Sequence, residues 1–445
     1  MVFLKIIPHP CTVMVKSLLM KKAIQDSRTK IPSGMATHLP EDAFLRRHAQ
    51  EKILSTFFKW GYKEVLTPVF EYFDVLSPGI SSRLTEKSYK FVDRESGKMM
   101  LLRPDITPQI ARMVAGILTD EPKPLRLCYY GNVFRYEESH AGRDREMFQV
   151  GCELVGIESP EADAEVIAVA SEAIKDFGIT DFKIVIGQAG FLNGIISSLN
   201  RYKEETISME FEHSLQDAIS RKDAGLIKTL LNNTGIKGKV RNNILEVPNL
   251  FGGEEILIKA LNITNNELSK EAIENLRKIY SLLCLYGLKD SILIDLCDIR
   301  EIDYYTGLFF EIFTPGIPYP VGAGGRYDNL IGKFGYDCPS TGFAIDIESI
   351  IKAMEKQGDF FIDNNINYLV VVKKEDEKIG IKLVRELRAK GYRVIMDTGL
   401  YDINSSINYA KKNKIEKVII LGNKKEKHTS EIDIKTGNKK IMKYD

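Results

Sequence analysis

No two cysteines in this 445-residue chain stand at C-x-x-C spacing. The six that exist, Cys11, Cys128, Cys152, Cys284, Cys297 and Cys338, are scattered, several of them in apolar, strand-like runs. This argues against a disulfide framework or a cysteine zinc site and favours reduced, buried thiols in a cytoplasmic protein. The histidines are equally dispersed, and His38, His48, His213 and His428 define no metal site. No apolar run reaches membrane-spanning length. Neither sign of charge prevails: 62 Lys and Arg meet 61 Asp and Glu, a formal net charge of +1, so the overall balance offers nothing to nucleic acid. Also missing are the G-x-x-x-x-G-K-S/T phosphate loop, a G-x-G-x-x-G turn after a strand, H-E-x-x-H and G-x-S-x-G. No catalytic constellation stands out. What is present, 44% hydrophobic and 28% charged residues, describes a globular protein with room for two or three domains.

The most informative stretch is residues 131–156, GNVFRYEESHAGRDREMFQVGCELVG. An apolar approach enters a polar turn carrying Arg135, Arg143 and Arg145 against Glu137, Glu138, Asp144 and Glu146, and the chain returns as MFQVGCELVG. Alternation on both arms predicts two antiparallel strands. Phe148, Val150, Cys152 and Leu154 share one face; Gln149, Gly151 and Glu153 share the other, where Arg135 of the neighbouring strand can meet them. Such a row of polar groups on a rigid sheet makes a floor for a small polar ligand.

The opening 22 residues faintly resemble a targeting segment, but Pro8 and Pro10 interrupt them, and Met14 or Met20 would serve equally as a start. Residues 1–30 are therefore an extension with no assigned role. A helix opens at Pro40, buries Phe44, Ala49, Ile53, Phe57 and Trp60, and stops at Gly61. A short strand, the Thr67-Pro68 break, a hairpin turning at Glu95-Ser96-Gly97 and a helix from Thr107-Pro108 follow. After the central hairpin, Ser159, Pro160 and Gly178 cap, open and stop an amphipathic helix. Residues 191–290 read as a helical insertion. Strands then return, followed by a glycine-rich loop, VGAGGRYDNLIGKFG, and a strand feeding a helix. The fold class is α+β: a mixed, largely antiparallel sheet with helices packed on it, residues 31–358. Residues 359–365 are a linker, and 366–445 a small β-α-β-α-β domain.

Three segments converge on the hairpin: LRPDIT with Asp105 and Thr107, DIREIDYYTG with Arg300, Tyr304 and Tyr305, and GAGGRYDNL with Tyr327. The set suits an amino acid. Asp105, Thr107 and Gln149 can receive an ammonium, Arg135 or Arg300 a carboxylate, and Glu153 with Tyr305 the two nitrogens of an imidazole. Arg103 reads as a brace between sheet and loop, Asp303 and Asp328 as turn residues or as supports behind the ligand contacts, Tyr304 as core, and His140 as a surface salt-bridge partner.

These residues resemble the core of class II aminoacyl-tRNA synthetases of the histidyl type. Residues 131–156 resemble its motif 2, DIREIDYYTG its histidine signature, and GAGGRYDNL with GFAIDIESI its second signature and motif 3; the tail from Ile366 resembles its anticodon-binding domain. The resemblance implies a histidine site made by Asp105, Thr107, Arg135, Gln149, Glu153, Arg300, Tyr305 and Tyr327, with Arg135 also meeting the ATP α-phosphate and Arg300 assisting adenylate formation. The departures fall elsewhere. Where motif 3 carries a phosphate-clamping arginine this chain reads D-I-E-S, with Asp346 and Ser349. One such donor is worth about 3 kcal/mol, or two orders of magnitude in rate. Ile106 and Glu301 replace glycines, and Asp105 replaces a glutamate.

LLRPDITPQIAR, PLRLCYYGNVFRYEE, SPEADAEVIAVASEAI and IVIGQAGFLNGII are more similar to a paralogous family, the regulatory subunits of ATP phosphoribosyltransferase. Membership implies a subunit with no catalytic activity and no cofactor, acting in histidine biosynthesis. It would activate a short-form catalytic subunit, take L-histidine as allosteric ligand and self-dimerise within a hetero-octamer. Neither tRNA nor membrane is an expected partner, and the location is cytoplasmic. Many members of that family end near the end of the core, so the tail after Ile366 departs from it and keeps the alternative, an active histidyl-tRNA synthetase, open.

Overall fold

The computed structural model describes residues 29–136, 144–199, 208–232, 234–297, 305–357, 364–373, 376–397, 402–422 and 428–443. The chain divides into two compact units, residues 1–360 and 361–445.

In the first unit, helix α1 (Pro40–Lys59) begins on a proline, which suits a first turn because no N–H is needed there. It ends before Gly61, at φ +80°. Ala49, Ile53 and Phe57 are fully buried. Phe44 and Trp60 are only half-buried, so the buried stripe is shorter at both ends than its spacing predicts. Strands β1 (Lys63–Glu64) and β2 (Phe70–Tyr72) and the short helices α2 (Phe73–Leu76) and α3 (Ser82–Glu86) follow. Strands β3 (Lys90–Val92) and β4 (Met99–Leu102) form the expected hairpin, with Gly97 at φ +69°, and β2 completes a small three-stranded sheet. Helix α4 (Thr107–Ile117) starts where Pro108 predicts.

Strands β5 (Leu125–Phe134) and β6 (Glu146–Val155) are the two arms of the predicted central hairpin, in register from Leu125 opposite Val155 to Phe134 opposite Glu146. Helix α5 (Pro160–Phe177) has the predicted ends: the Ser159 side chain accepts from the Ala162 N–H, and Gly178 takes the left-handed conformation. After β7 (Lys183–Gln188) come helices α6 (Ala189–Ser198), α7 (Met209–Ser220), α8 (Ala224–Asn232) and α9 (Gly238–Glu246), the two-residue strand β8 (Phe251–Gly252), then α10 (Glu255–Ile263) and α11 (Glu267–Leu285). Strands β9 (Ile292–Asp295), β10 (Leu308–Phe313), β11 (Gly322–Arg326) and β12 (Ser340–Asp346) and helix α12 (Ile347–Gln357) complete the unit.

Nine strands pair in the order β1-β5-β6-β12-β11-β10-β7-β9-β8, antiparallel except β1 with β5 and β7 with β9. The glycine-rich segment expected as a loop is instead the interior strand β11. Its glycines carry no strand propensity, but the neighbours fill the space above them. A Cβ on Gly324 would meet Phe343 and Phe310, and one on Gly325 would meet the Tyr305 ring at 2.8 Å.

The registers sort this sheet into two faces. Val150, Cys152 and Leu154 of β6, Phe343 and Ile345 of β12 and Phe310 of β10 form one face, packed with α1 and α5 into the main core. Gln149, Gly151 and Glu153 lie opposite Asp346, Ala344 and Gly342 on the other. Helix α4 covers one end of that second face, where Ile106, Ile110 and Val114 meet Leu127, Tyr129 and Val155.

The second unit has strands β13 (Tyr368–Val371), β14 (Val394–Met396) and β15 (Lys417–Leu421), parallel to one another, with helices α13 (Glu377–Ala389) and α14 (Ile403–Lys412). Val370 packs with Leu383 and Leu387 of α13, and Leu369 with Ala410 of α14, so the helices cover opposite faces. An antiparallel hairpin, β16 (His428–Asp433) and β17 (Lys439–Lys443), extends the sheet beyond the expected β-α-β-α-β.

Candidate functional site

Above the second face of the large sheet lies a cavity of about 540 Å³. Asp105, Thr107, Arg135, Gln149, Tyr305 and Tyr327 all line it, as do Asp346 and Ser349. Glu153 lies beneath the lining, 1% exposed. Arg300, with Glu301, Asp303 and Tyr304, lies outside the described residues, as do Glu137, Glu138, His140 and Arg143.

Glu153 is built into the floor, where two hydroxyls hold its carboxyl. Thr107 Oγ1 donates to its Oε1 at 2.7 Å, and the Tyr327 hydroxyl donates to its Oε2. The carboxyl lies over Gly342 of the next strand, where a Cβ would collide with Oε2, so β12 needs glycine there. Burial pushes Glu153 up to about 8; the Tyr327 and Thr107 hydroxyls oppose that rise and the nearby Asp105 carboxylate adds to it. Thr107, expected at an ammonium, thus holds Glu153 in place. Asp105 is itself 6% exposed and accepts weakly from the Thr107 N–H, at 3.4 Å.

Arg135 was expected to meet Gln149 from the neighbouring strand but does not, because Gly131 stands opposite Gln149. Arg135 leaves the end of β5 and donates from Nε to the Pro104 carbonyl at 2.6 Å, which ties the LRPDIT turn to the hairpin. The buried Gln149 Oε1 has no hydrogen-bond partner and is available to a ligand donor. Arg103 is the brace its position suggests. It donates to the Asn132 and Thr67 carbonyls at 2.7 and 2.9 Å, lying over Gly131.

The opposite end of the cavity is closed by the start of α12. Asp346 Oδ1 accepts the Ser349 N–H at 2.7 Å and also the Ser349 hydroxyl, the geometry of a helix N-cap. Glu348 pairs with Arg46 of α1 at 2.7 Å and accepts the Phe148 N–H at 3.3 Å. Of the described residues lining the cavity, Asp105, Asp144, Glu146, Glu311, Asp346 and Glu348 are acidic, against Arg83, Lys87, Arg135 and Lys352.

Sequence reasoning missed Tyr129. It is 1% exposed, its ring crosses Gly151, and burial beside Glu153 and Asp105 pushes its hydroxyl pKa well up. The signal was available: alternation along LCYYGNVF puts Tyr129 on the face of Gly131. Among the described residues, no group of three or more His, Cys, Asp or Glu side chains is placed to hold a metal ion. No helix among them is long and apolar enough to cross a membrane.

Comparison with known proteins fits this geometry. The family model for histidyl-tRNA synthetase matches residues 34–350. The ATP phosphoribosyltransferase regulatory subunit of Geobacter metallireducens is 36% identical over 88% of this chain and 89% of its own length. That of Thermoanaerobacter sp. is 38% identical over 82% and 93%. Among solved structures, an ATP phosphoribosyltransferase regulatory subunit/histidyl-tRNA synthetase from Bacillus halodurans C superposes with a TM-score of 0.78 at 27% identity, covering 88% of this chain and 98% of the other. Histidyl-tRNA synthetase from Nostoc sp. PCC 7120 shares the fold at 23% identity and a TM-score of 0.76, over 93% and 96%. A match spanning 88% of a 445-residue chain has to run past residue 365. The tail after Ile366, expected to set this chain apart from the regulatory subunits, is therefore at least partly present in such a relative.

Proposed function

Since the chain belongs to the family of ATP phosphoribosyltransferase regulatory subunits, with a core of the histidyl-tRNA synthetase type, we propose that it binds free L-histidine in the cavity over the central sheet and passes that occupancy to a separate catalytic subunit, without catalysing a reaction itself. The carrying observation is the contrast within one cavity: a buried, fully bonded Glu153 at one end, and a helix-capping carboxylate, Asp346, at the other where a synthetase would need a cation.

In this reading the imidazole lies against Glu153, Tyr305 and Tyr327. The ammonium reaches Asp105 and Gln149 Oε1, and the carboxylate reaches Arg135, joined by Arg300. A zwitterion that pairs both its charges is the kind of ligand that polar walls around a small cavity select. The subunit would activate a short-form catalytic subunit in the first step of histidine biosynthesis and carry feedback inhibition by histidine within a hetero-octamer containing self-dimers. Histidine must then bind one state of the complex better than the other, and a difference of about 1–3 kcal/mol gives a useful response.

Reconstitution tests this. Mixed with a short-form ATP phosphoribosyltransferase, the chain should raise its activity, and added histidine should lower it. The chain alone should not exchange labelled pyrophosphate into ATP in the presence of histidine. Exchange at an ordinary enzymatic rate would make it a synthetase instead and overturn the proposal.

A further inference from the structure

Tyr305 and Tyr327, which flank the floor of the cavity, are not held by the floor alone. Arg326 stands between Gly325, over which the Tyr305 ring lies, and Tyr327, whose hydroxyl reaches Glu153. Strand alternation sends the Arg326 side chain to the opposite face of the sheet, where it is buried. There it meets Asp163 of α5, with Nε 3.1 Å from both carboxylate oxygens and Nη2 2.9 Å from Oδ1. Its Nη1 donates to Asp328 at 2.9 Å and to the Ile157 carbonyl at 3.2 Å, and its Nη2 to the Ser159 carbonyl at 3.4 Å. Asp328 in turn accepts from Thr306 Oγ1 at 3.1 Å and from the Ser340 N–H at 3.2 Å. The Thr306 N–H donates to the Arg326 carbonyl at 2.8 Å.

One guanidinium therefore joins the start of α5 to the two residues, Thr306 and Arg326, that immediately adjoin the cavity tyrosines. A buried ion pair with every donor used is costly to form and contributes less to stability than to fixing one geometry. Apolar packing would hold α5 on the sheet without it, as the surrounding core does.

We infer that Arg326 and Asp163 are positioning residues for the histidine pocket, setting Tyr305 and Tyr327 from behind the sheet and tying their placement to helix α5. This rests on the proposed histidine site. A loosened brace lets both aromatic walls drift, and a pocket out of register by even a fraction of an ångström loses hydrogen bonds to the ligand.

The chain carries its own check on α5. Its single tryptophan, Trp60, donates to Glu172 of α5 at 3.0 Å, and its ring centroid lies 5.9 Å from that of Tyr286. Histidine binding to the full chain is measured by calorimetry for the parent, Asp163→Asn and Asp163→Glu, alongside Trp60 emission. Asp163→Asn should weaken histidine about 10- to 100-fold with Trp60 emission unchanged, and Asp163→Glu should recover much of the loss. Should Asp163→Asn fail to fold, Thr306→Val leaves the Arg326–Asp163 pair in place, removes the hydroxyl's bonds to Asp328 and to the Arg326 carbonyl, and should weaken histidine several-fold. Folded variants that bind histidine within twofold of the parent would overturn the inference while leaving the site intact. A parent that binds no histidine would instead remove the functional reading, and this inference with it.

Discussion

The two ends of the cavity lie on the same pair of strands, yet they solve opposite problems. At one end Glu153 stands opposite Gly342, and at the other Gln149 stands opposite Asp346, about 13 Å away by strand rise. The Glu153 end is buried, and two hydroxyls satisfy a carboxyl whose position is set by the absence of a side chain on the next strand. Such a site is expensive to disturb and selective for what can replace or extend those bonds. At the Asp346 end the carboxylate serves the fold, capping α12, and on the proposed reading it adds negative charge where a synthetase would hold phosphate. On the proposed reading, one strand pair keeps an amino-acid pocket and loses a nucleotide clamp, because each depends on residues at one end only.

The comparison breaks most readily at Glu153. Glu153→Ala removes the acceptor of two buried hydroxyls and the proposed imidazole partner together. Histidine affinity should fall by roughly 2–3 kcal/mol, 30- to more than 100-fold, by calorimetry. Parent-like affinity would place the ligand elsewhere. Next in size is Gly342→Ala. Its added methyl group would occupy the place of Glu153 Oε2, so the carboxyl must move or the strands part. We expect a loss of about 1–3 kcal/mol in denaturant unfolding together with weaker histidine binding. The same substitution at Gly116, where a Cβ would meet nothing within 4 Å, should do neither.

A subtler effect separates burial from bonding at Glu153. Its pKa is raised from 4.5 to about 8, so between those values the folded chain holds a proton that the unfolded chain has released. Stability must then fall as pH rises through that window, by roughly 1.4 kcal/mol per pH unit from this group. Unfolding measured from pH 5 to pH 8 should show the parent losing stability relative to Glu153→Gln. Parallel curves would mean that the carboxyl is ionised in the folded chain throughout.

Much of the Glu153 end was legible beforehand, and the reason is periodicity. Alternation in MFQVGCELVG assigned Gln149, Gly151 and Glu153 to one face, and Ser159 with Gly178 marked α5 to the residue. What escaped depended on contacts between distant segments. Strand β11 looked like a loop because four of its five residues are Gly or Ala; only Phe310, Phe343 and Tyr305, from other strands and turns, explain why side chains would not fit. The bond from Thr107 to Glu153 joins residues 46 apart, and the Arg326–Asp163 pair joins residues 163 apart. Ser349 was read for the arginine it replaces and Asp346 for the charge it adds, and the capping of Ser349 by Asp346 became visible only with α12 in place.

The smallest effect lies at the Asp346 end and tests whether charge or shape keeps nucleotide away. Asp346→Asn retains a side-chain oxygen that can accept the Ser349 N–H, so α12 keeps its cap while the carboxylate charge is lost. Removing one negative charge near a triphosphate should strengthen ATP binding by about 1 kcal/mol or less, a few-fold. Burial holds the Asp346 pKa above its ordinary value, so the charge is more fully present at high pH. The gain over the parent should therefore be larger at the higher of two pH values than at the lower. No adenylate should form at either pH, because the variant restores no cation. If ATP bound both proteins equally at both pH values, the packing of α12 rather than the carboxylate would be what excludes it, and the two ends of the cavity would differ in shape before they differed in charge.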